Sequence, residues 1–497
     1  MKSKAYLFLL IVCALLQKSK AQNYFNNRYD TYGSCDGAAS LDTFNNHFLT
    51  AGFTCSAISF YALNLKQYTK NNGLLSVSKT YNWSGNNFAN ANGFIKNANK
   101  YLLCGTRFYH NDTSLVFQWI FNQNLDSIKY TEYGYLNKGN VINKIINYSN
   151  NSYFMAGQVY DNLYNSDILL IKTDTAGNEI WKKKIGVIGW DETAISIDTL
   201  NGNLLIAGNK MPHGSSATQG FVMYLDTAAN IIWQKTVITN GGYGGCAVKK
   251  LKDGNVLIYS RIKQYSLGSD DYYKLQVEKI TPLNVAIWKK TYNAPQIGAN
   301  PYSAIENQHG NIIIASQFAF NINMVNGKVN EINQNGDSLF TKEYAIMPGS
   351  QNYFRDVMQT SDGGYCFAGF VTPVFANGGT GTQDIWLLKV DSNFCESVVP
   401  CGYGVGLAPL SFVEGQGVRM YPNPAKDVLN IEFLDSTPNN KHVTVIITDA
   451  LGQVVLQEQF STQHAVLNLQ HLADGIYFYQ VLSANTLIKA NKVVIIK

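Results

Sequence analysis

The chain has 497 residues, of which 46% are hydrophobic and 13% aromatic, and its formal net charge is +5 at pH 7. Four basic residues lie in the first 21, and the rest of the chain carries 35 basic and 34 acidic residues. Binding to phosphates needs a basic surplus, so this balance argues against nucleic acid as a partner. Arginine is rare and lysine common, which favours a solvated surface over bidentate clamps for anions.

The N-terminal segment has the features of a secretory signal peptide. Lysines precede an apolar run over 5–16, and Ser19 and Ala21 provide the small residues expected before a cleavage site. The run is shorter than the roughly 18 residues of a transmembrane helix, and we expect no transmembrane segment elsewhere. We therefore predict a signal peptide over 1–21. A lipoprotein signal at Cys13 is the weaker alternative, because a valine stands where that motif has a small residue.

The middle of the chain is a repeat. A short apolar segment that closes on glycine or serine recurs at intervals of 51 to 56 residues, and its copies end at Gly52, Gly105, Gly157, Gly208, Ser260, Ser316 and Gly369. Each copy follows one short strand and precedes two more, such as 167–174 and 178–185. The alternating pattern and the Asn-Gly or Asp-Gly turns predict antiparallel hairpins.

Four strands in each repeat of about fifty residues predict a β-propeller blade, so the fold class is all-β with seven blades. A β-helix has much shorter coils, and tandem sandwich domains need about a hundred residues each. The seventh copy lacks its fourth strand, whereas a spare strand-like segment over 22–33 precedes the first copy. We expect this segment to close the last blade from outside and so remove an open edge. The propeller then covers 22–397.

The sequence of the seventh copy, D-G-G-Y at 362–365 and D-I-W-L-L-K-V-D at 384–391, resembles repeats of secreted Bacteroidetes proteins. The resemblance implies a propeller fold and brings no catalytic residues with it. Two other propeller motifs do not match. The quinoprotein-type repeat needs one more residue between Asp174 and Trp181, and the sialidase Asp-box needs other residues at 172 and 176.

A glycine-, valine- and proline-containing stretch over 398–417 predicts a linker, followed by a small β-sandwich over 418–497. Its landmark residues are Tyr421, Pro422, Asn423, Pro424, Asp449, Gly452, Gly475, Tyr477 and Lys497. They resemble the type A sorting domain of the Bacteroidetes type IX secretion system. The resemblance implies contact with that machinery, passage across the outer membrane, removal of the tail near the linker, and release or anchoring at the surface. The alternative is a retained immunoglobulin-like binding module.

Motifs for catalysis, metals and cofactors are missing from the sequence. The seven histidines have no metal-type spacing, and HExxH, paired CxxC and GxSxG motifs are absent. We therefore expect no metal and no cofactor. Trp181, Trp233 and Trp288 are equivalent outer-strand residues, which favours packing between blades over a cofactor site. Paired glycosidase carboxylates would meet only across blades, so one sequence does not reveal them.

Loop lengths predict the binding face. In a four-stranded blade, the first–second and third–fourth turns lie on one face, and the second–third loops and blade connections lie on the other. The latter are longer and more variable here, as over 208–219, 260–271 and 369–383, and variable loops on a regular scaffold usually carry binding residues. Each connection holds an aromatic residue able to stack on a sugar. These candidates are Trp83, Tyr135, Trp190, Tyr243, Tyr302 and Tyr353.

The cysteines after residue 21 enter an oxidising compartment if the chain is exported. Cys35 and Cys55 flank the first hairpin symmetrically, and Cys395 and Cys401 are close in sequence, so we predict these two disulfides. The remaining cysteines are predicted to be buried thiols: Cys104, Cys246 and Cys366.

Together these features favour a secreted or surface-exposed, non-catalytic binding protein for a glycan or a protein. The alternative is a polysaccharide hydrolase or lyase with its site over the propeller channel. The lack of a recognisable acid–base motif favours the binding protein.

Overall fold

A computed structural model of the chain describes residues 24–497 except 31–34, 45–46, 56–60, 82–87, 98, 110–112, 150–151, 161–164, 216, 241–244, 269, 322, 374–381, 397–417, 423, 434–442, 450–452, 461–463 and 484–485. The described residues contain strands and no helix, and so none of their segments is a helix able to cross a membrane. The chain divides into two compact units, Met1–Cys401 and Gly402–Lys497. The predicted signal peptide and linker lie outside the described residues.

The first unit begins with β1 (Phe25–Tyr29). The first blade contains β2 (Asp36–Phe44), β3 (His47–Cys55), β4 (Tyr61–Thr69) and β5 (Leu75–Tyr81). The second contains β6 (Phe88–Asn97), β7 (Lys100–Phe108), β8 (Ser114–Phe121) and β9 (Ser127–Tyr133). The third contains β10 (Gly139–Ser149), β11 (Ser152–Tyr160), β12 (Ser166–Asp174) and β13 (Glu179–Ile185).

The fourth blade contains β14 (Trp190–Leu200), β15 (Asn203–Pro212), β16 (Gln219–Leu225) and β17 (Ile231–Val237). The fifth contains β18 (Cys246–Lys250), β19 (Val256–Leu267), β20 (Asp270–Ile280) and β21 (Ala286–Gln296). The sixth contains β22 (Pro301–Glu306), β23 (Ile312–Ala319), β24 (Val325–Ile332) and β25 (Ser338–Tyr344). The seventh contains β26 (Gln351–Gln359), β27 (Tyr365–Thr372) and β28 (Asp384–Val390).

Within each blade the strands pair antiparallel in chain order. The first strands of successive blades contact each other around the ring, and the last of them, β26, contacts β2. The inner strands therefore surround the centre, and the later strands lie progressively further out. The predicted seven-bladed β-propeller is confirmed.

The N-terminal strand closes the ring. β1 pairs antiparallel with β28, from Phe25 opposite Lys389 to Tyr29 opposite Ile385. The indole of Trp386 donates to the Asn26 side chain at 2.6 Å. This pairing gives the seventh blade its fourth strand and leaves β28 without an open edge.

The hydrophobic core of the propeller lies between blades. The described residues form seven buried clusters, each shared by two neighbouring blades. Between the third and fourth blades, Phe154 and Leu170 pack with Ile206 and Phe221. Burial of apolar surface stabilises by about 25 cal/mol per Å², so each blade depends on its neighbours for stability.

The recurring glycine lies where the first strand of a blade approaches the second most closely. A Cβ on Gly208 would lie 1.8 Å from the carbonyl oxygen of Thr193, and one on Gly157 would lie 2.0 Å from that of Val141. At the same place the first strand carries a β-bulge; in the fourth blade the pairing skips Ile195. The bulge disrupts the regular ladder and brings backbone against the glycine, so a side chain has no room there.

The outer-strand tryptophans join neighbouring blades. Trp233 donates from its indole to the carbonyl of Pro282 at 3.0 Å, and Trp288 donates to that of Gln334 at 2.8 Å. Trp181 packs against the core between the third and fourth blades. These contacts match the predicted packing role.

The second unit contains β29 (Val418–Tyr421), β30 (Val428–Phe433), β31 (Val443–Thr448), β32 (Val454–Phe460), β33 (His464–Asn468), β34 (Gly475–Ser483) and β35 (Thr486–Ile495). β29, β30 and β33 form one sheet, and β32, β31, β34 and β35 form the other. Leu429 and Leu467 of the first sheet share a buried core with Val445 and Val481 of the second. The predicted small β-sandwich is confirmed.

Several predicted landmarks of the tail make structural contacts. Asp449 accepts a hydrogen bond from the backbone N–H of Gln453 in the hairpin turn, at 2.9 Å. Tyr477 is buried and donates to the carbonyl of Ala473 at 3.0 Å. Gly475 begins β34, and Pro422 and Pro424 are exposed. The backbone N–H of Lys497 donates to Asp474 at 2.9 Å. Asn423, Gly452 and the side chain of Tyr421 lie outside the described residues.

Candidate binding site on the long-loop face

The two faces of the propeller differ in their loops. The third–fourth turns are uniform: Asp174 and Asp226 each accept backbone hydrogen bonds from residues two and four positions later. The opposite face, here called the long-loop face, carries the second–third loops and the blade connections. One loop differs from the prediction. Most of 260–271 is strand, because β19 extends to Leu267 and pairs with β20, with Tyr265 stacked on Tyr272 at 4.8 Å.

The predicted aromatic residues do not form a single site. Trp83 and Tyr243 lie outside the described residues. Tyr135 is half-buried with the Lys182 ammonium 5.6 Å from its ring centre, and Trp190 is likewise approached by Lys210 at 5.3 Å. These two rings thus contact different lysine side chains. Tyr302 and Tyr353, in contrast, come together.

Arg355 joins these two tyrosines. Its guanidinium carbon lies 4.3 Å from the ring centre of Tyr302 and 5.1 Å from that of Phe370. Phe370 in turn packs on Tyr353, with their ring centres 4.8 Å apart. The sixth and seventh blades therefore share one aromatic group built around a cation.

A second arginine extends this group into the fifth blade. The guanidinium carbon of Arg261 lies 4.2 Å from the ring centre of Tyr273, and its charge interacts with Tyr302. The aromatic residues lie in the strand halves that enter or leave the long loops, and the two arginines lie near the middle of their strands. We call this set the loop-face cluster; it consists of Arg261, Tyr273, Tyr302, Tyr353, Arg355 and Phe370.

β-Bulges place two members of the loop-face cluster. The pairing of β22 with β23 skips Tyr302, and that of β26 with β27 skips Arg355. A bulge redirects the side chain of its extra residue. The hydroxyl of Tyr302 thereby reaches Gln317, to which it donates at 2.7 Å. Sequence analysis missed Arg261 and Arg355; the only available signal was the rarity of arginine in a lysine-rich chain.

The cluster is partly withdrawn from solvent, and this shifts its titrating groups. Burial is the largest cause of a raised pKa for Tyr353, strengthened by Tyr302 and opposed by Arg355. Burial also lowers the pKa of Arg261, while Tyr273, Tyr302 and Asp271 oppose that shift. Tyr353 therefore stays neutral at physiological pH, and Arg261 stays charged because the ordinary pKa of a guanidinium is so high.

Acidic side chains gather elsewhere on the same face, between the third and fourth blades. Glu192 is 2% exposed and accepts a hydrogen bond from the backbone N–H of Val187 at 3.4 Å. Burial raises the pKa of Glu192 to about 7, with further raising by Asp167 and Asp191 and lowering by Lys210. Such a group is protonated in part at neutral pH and able to act as a proton donor.

The repeat gives this glutamate a structural interpretation. Asn140 and Asn352 occupy the corresponding place in the third and seventh blades, two residues before the position opposite the recurring glycine. The amide of Asn140 binds the backbone of Tyr135 at 2.8 and 2.9 Å, and that of Asn352 binds Met347 in the same way. Glu192 therefore stands where asparagine holds the blade connection in place elsewhere.

The three cysteines predicted to be thiols lie among the described residues. Cys104, Cys246 and Cys366 are free and buried. The pairing of Asp36 with Thr54 sets Cys35 opposite Cys55 at the next position, although the side chain of Cys55 and all of Cys401 lie outside the described residues. Both disulfides stay predictions. No group of three metal-ligating side chains occurs in the described part of the chain.

Comparison with known proteins identifies the tail. Residues 419–497 match the family described as Secretion system C-terminal sorting domain. No curated protein matches the sequence.

Solved structures similar to the chain include an α-L-arabinanase of Penicillium chrysogenum (13% identity, TM-score 0.43, 60% of this chain and 92% of that chain). An α-L-arabinofuranosidase of Fusarium graminearum has 10% identity and a TM-score of 0.41, over 61% of this chain and 92% of that chain. The β-propeller domain of the Trilobed protease of Pyrococcus furiosus has 9% identity and a TM-score of 0.41, over 74% and 99%. Such similarities say nothing about a ligand. The chain is thus an exported all-β protein, a seven-bladed propeller with a type IX secretion sorting domain at its C-terminal end.

Proposed function

We propose that the protein is a non-catalytic binding protein that recognises a glycan or a protein through the long-loop face of its propeller. The sorting domain directs it to the cell surface or the extracellular space. We further propose that 1–21 is a signal peptide and that the propeller, over 22–397, is separated from the tail within the linker at 398–417. Binding is then the activity of the propeller.

The loop-face cluster is the observation that carries this proposal. Its aromatic rings come from strands of the fifth, sixth and seventh blades rather than from loose loops, so they are held in place before a ligand arrives. Aromatic rings supply large contact area at little cost in side-chain entropy. A preformed group of rings and cations is suited to stacking on a sugar ring or anchoring a partner protein.

The second candidate is a polysaccharide hydrolase or lyase. It is favoured by Glu192, because burial raises the pKa of this carboxyl to about 7 and Asp167 and Asp191 add to the shift, as expected of a general acid. Against it, Asn140 and Asn352 make comparable backbone contacts at the corresponding places. Glu192 occupies a position where asparagine has a structural role in other blades, so its presence is explained without catalysis. The binding protein is therefore the better supported function.

The test is a glycan and protein array, combined with a polysaccharide-depolymerisation screen, on the purified full-length protein. We expect a bound ligand and no depolymerisation. Tyr302→Ala should weaken binding at least tenfold, whereas Tyr135→Ala removes a ring on the same face outside the cluster and should change affinity less than threefold. Release of new reducing ends by the wild type, lost in Glu192→Gln, would establish the enzyme instead.

A further inference from the structure

Two arginines of the propeller have no carboxylate partner among the described residues. The chain has five arginines in total. Arg107 is paired with Glu132 at 2.9 Å, and Arg28 also has a carboxylate partner. Arg261 and Arg355 form no ion pair with any described residue. Both belong to the loop-face cluster, so the unpaired arginines of this fold are concentrated at one place.

Two acidic residues close to these arginines are already bound by other groups. Asp356 follows Arg355 in sequence, but its carboxylate accepts hydrogen bonds from Ser303 at 2.8 Å and from the backbone of Leu41 at 2.9 Å. Asp271 lies near Arg261 and is held by Lys263 at 2.6 Å. These carboxylates are bound by other groups of the protein and form no ion pair with the two guanidinium groups.

The guanidinium groups keep donors for a ligand. Arg261 lies over Tyr273 and Arg355 over Tyr302, at 4.2 and 4.3 Å between guanidinium carbon and ring centre. A guanidinium that covers a ring uses its face for that contact, so its N–H groups in the plane stay available. The Nε of Arg261 is buried and has no hydrogen-bond partner among the described residues. A buried charged donor left without a partner costs free energy.

Tyr302 links the two arginines across the blades. Its ring contacts Arg355, it interacts electrostatically with the Arg261 guanidinium, and its hydroxyl donates to Gln317. The cluster therefore offers two cations and several ring surfaces around one tyrosine. Such a combination fits a ligand with an anionic group on a flat, ring-shaped body.

We propose that the loop-face cluster binds the carboxylate of an acidic sugar, so that the ligand is a polysaccharide containing uronic acid. This inference rests on the proposed binding function and assigns its ligand class. Arg261 and Arg355 form bidentate hydrogen bonds with the carboxylate, and Tyr302 and Tyr353 stack on the sugar rings. The two cations belong to the loop-face cluster, whereas the chain without its first 21 residues is almost neutral overall. An anionic sugar is therefore attracted to this cluster rather than to the surface in general.

Isothermal titration of the full-length protein with galacturonic acid oligomers tests this inference. The ligand arms are the free acid, its methyl ester and a sulfated dextran. The protein arms are wild type, Arg261→Lys, Arg355→Gln and Arg107→Lys. The last is a matched control, because Arg107 also lies against a tyrosine ring, that of Tyr109 at 4.8 Å, but already has a carboxylate partner. Thermal unfolding checks that each variant is folded.

We expect the free acid to bind at least tenfold more tightly than its methyl ester and more tightly than the sulfated dextran. Arg261→Lys and Arg355→Gln should each lose at least tenfold in affinity, and Arg107→Lys less than twofold. If a variant fails to fold, the comparison of acid with ester in the wild type still decides the question. Equal binding of acid and ester, preference for the sulfate, or no binding of the acid would overturn the inference. Equal binding of acid and ester would leave the binding function standing, whereas an array without any ligand would remove both.

Discussion

Arg355 lies with its guanidinium carbon 4.3 Å from the ring centre of Tyr302, although the two residues belong to different blades. Each of them is the extra residue of a β-bulge in an inner strand. The bulge lies opposite the recurring Gly369 in the seventh blade and opposite Ser316 in the sixth, and it turns side chains of the first strand toward a neighbouring blade. The β-bulge of the first strand is thus a feature of the scaffold that also shapes the candidate site.

The recurring glycine should be intolerant of a side chain. We expect Gly208→Ala to lower the free energy of unfolding by about 1–3 kcal/mol, because its Cβ would lie 1.8 Å from the carbonyl oxygen of Thr193 and the strands would have to separate. Urea denaturation of the purified protein measures this change. Gly475→Ala is the control, since a Cβ there meets only the Tyr477 ring at 3.6 Å. Equal stability of Gly208→Ala and wild type would refute the close approach of the strands.

Much of the propeller was predictable because each blade repeats one pattern. The spacing of residues such as Gly157 and Gly208 gave the number of blades, and the missing fourth strand near 391 pointed to closure by the N-terminal segment. That closing strand is present as Phe25–Tyr29. Alternating hydrophobic residues located strands well because one side of each strand packs between blades.

The candidate site was harder to predict, for two physical reasons. A bulge is a single extra residue, and nothing in the local sequence distinguishes Tyr302 or Arg355 from ordinary strand residues. Arg261 and Arg355 approach Tyr302 only because three blades stand side by side. The scarcity of arginine pointed away from anion clamps, whereas the few arginines present include two members of the loop-face cluster. Composition describes the average surface and does not describe a local group.

Stability should depend on pH through Glu192. Its folded pKa is raised to about 7, above the usual value near 4.3, so the folded protein binds the extra proton. Its contribution is therefore fully present below about pH 4 and is lost as pH rises through 7, at a cost of about 2–3 kcal/mol. We expect Glu192→Gln to raise the unfolding temperature at pH 8 more than at pH 5. The exposed Glu179→Gln is the control, and parallel pH profiles for Glu192→Gln and wild type would contradict the shifted pKa.

Two disulfides should form in the exported protein. The register of β2 with β3 sets Cys35 opposite Cys55, and Cys395 and Cys401 are close enough in sequence to form a small loop. Peptide mapping without reduction should find both links and leave Cys104, Cys246 and Cys366 free, since they are buried apart from one another. A link from Cys35 to any other cysteine would contradict the first pairing.

Removal of 418–497 should abolish delivery to the surface and leave the propeller folded. The tail matches a sorting domain, and it forms a compact unit separate from the propeller. Fractionation of a host with type IX secretion should find the truncated chain inside the outer membrane, with an unfolding temperature near that of the intact protein. Val466→Ser, at a 58% exposed position, should not affect export. Appearance of the truncated chain in the medium of intact cells would show that the tail is not the sorting signal.

The central claim is that ligand binds the long-loop face at the fifth to seventh blades. Hydrogen–deuterium exchange of the full-length protein, with and without the array-selected ligand, tests it most directly. We predict slower exchange on binding in peptides covering 260–275, 299–306 and 351–356, and no change at the third–fourth turns, such as 226–230 and 281–285. Protection confined to those turns, with the loop-face cluster unchanged, would place the ligand on the opposite face and contradict the account.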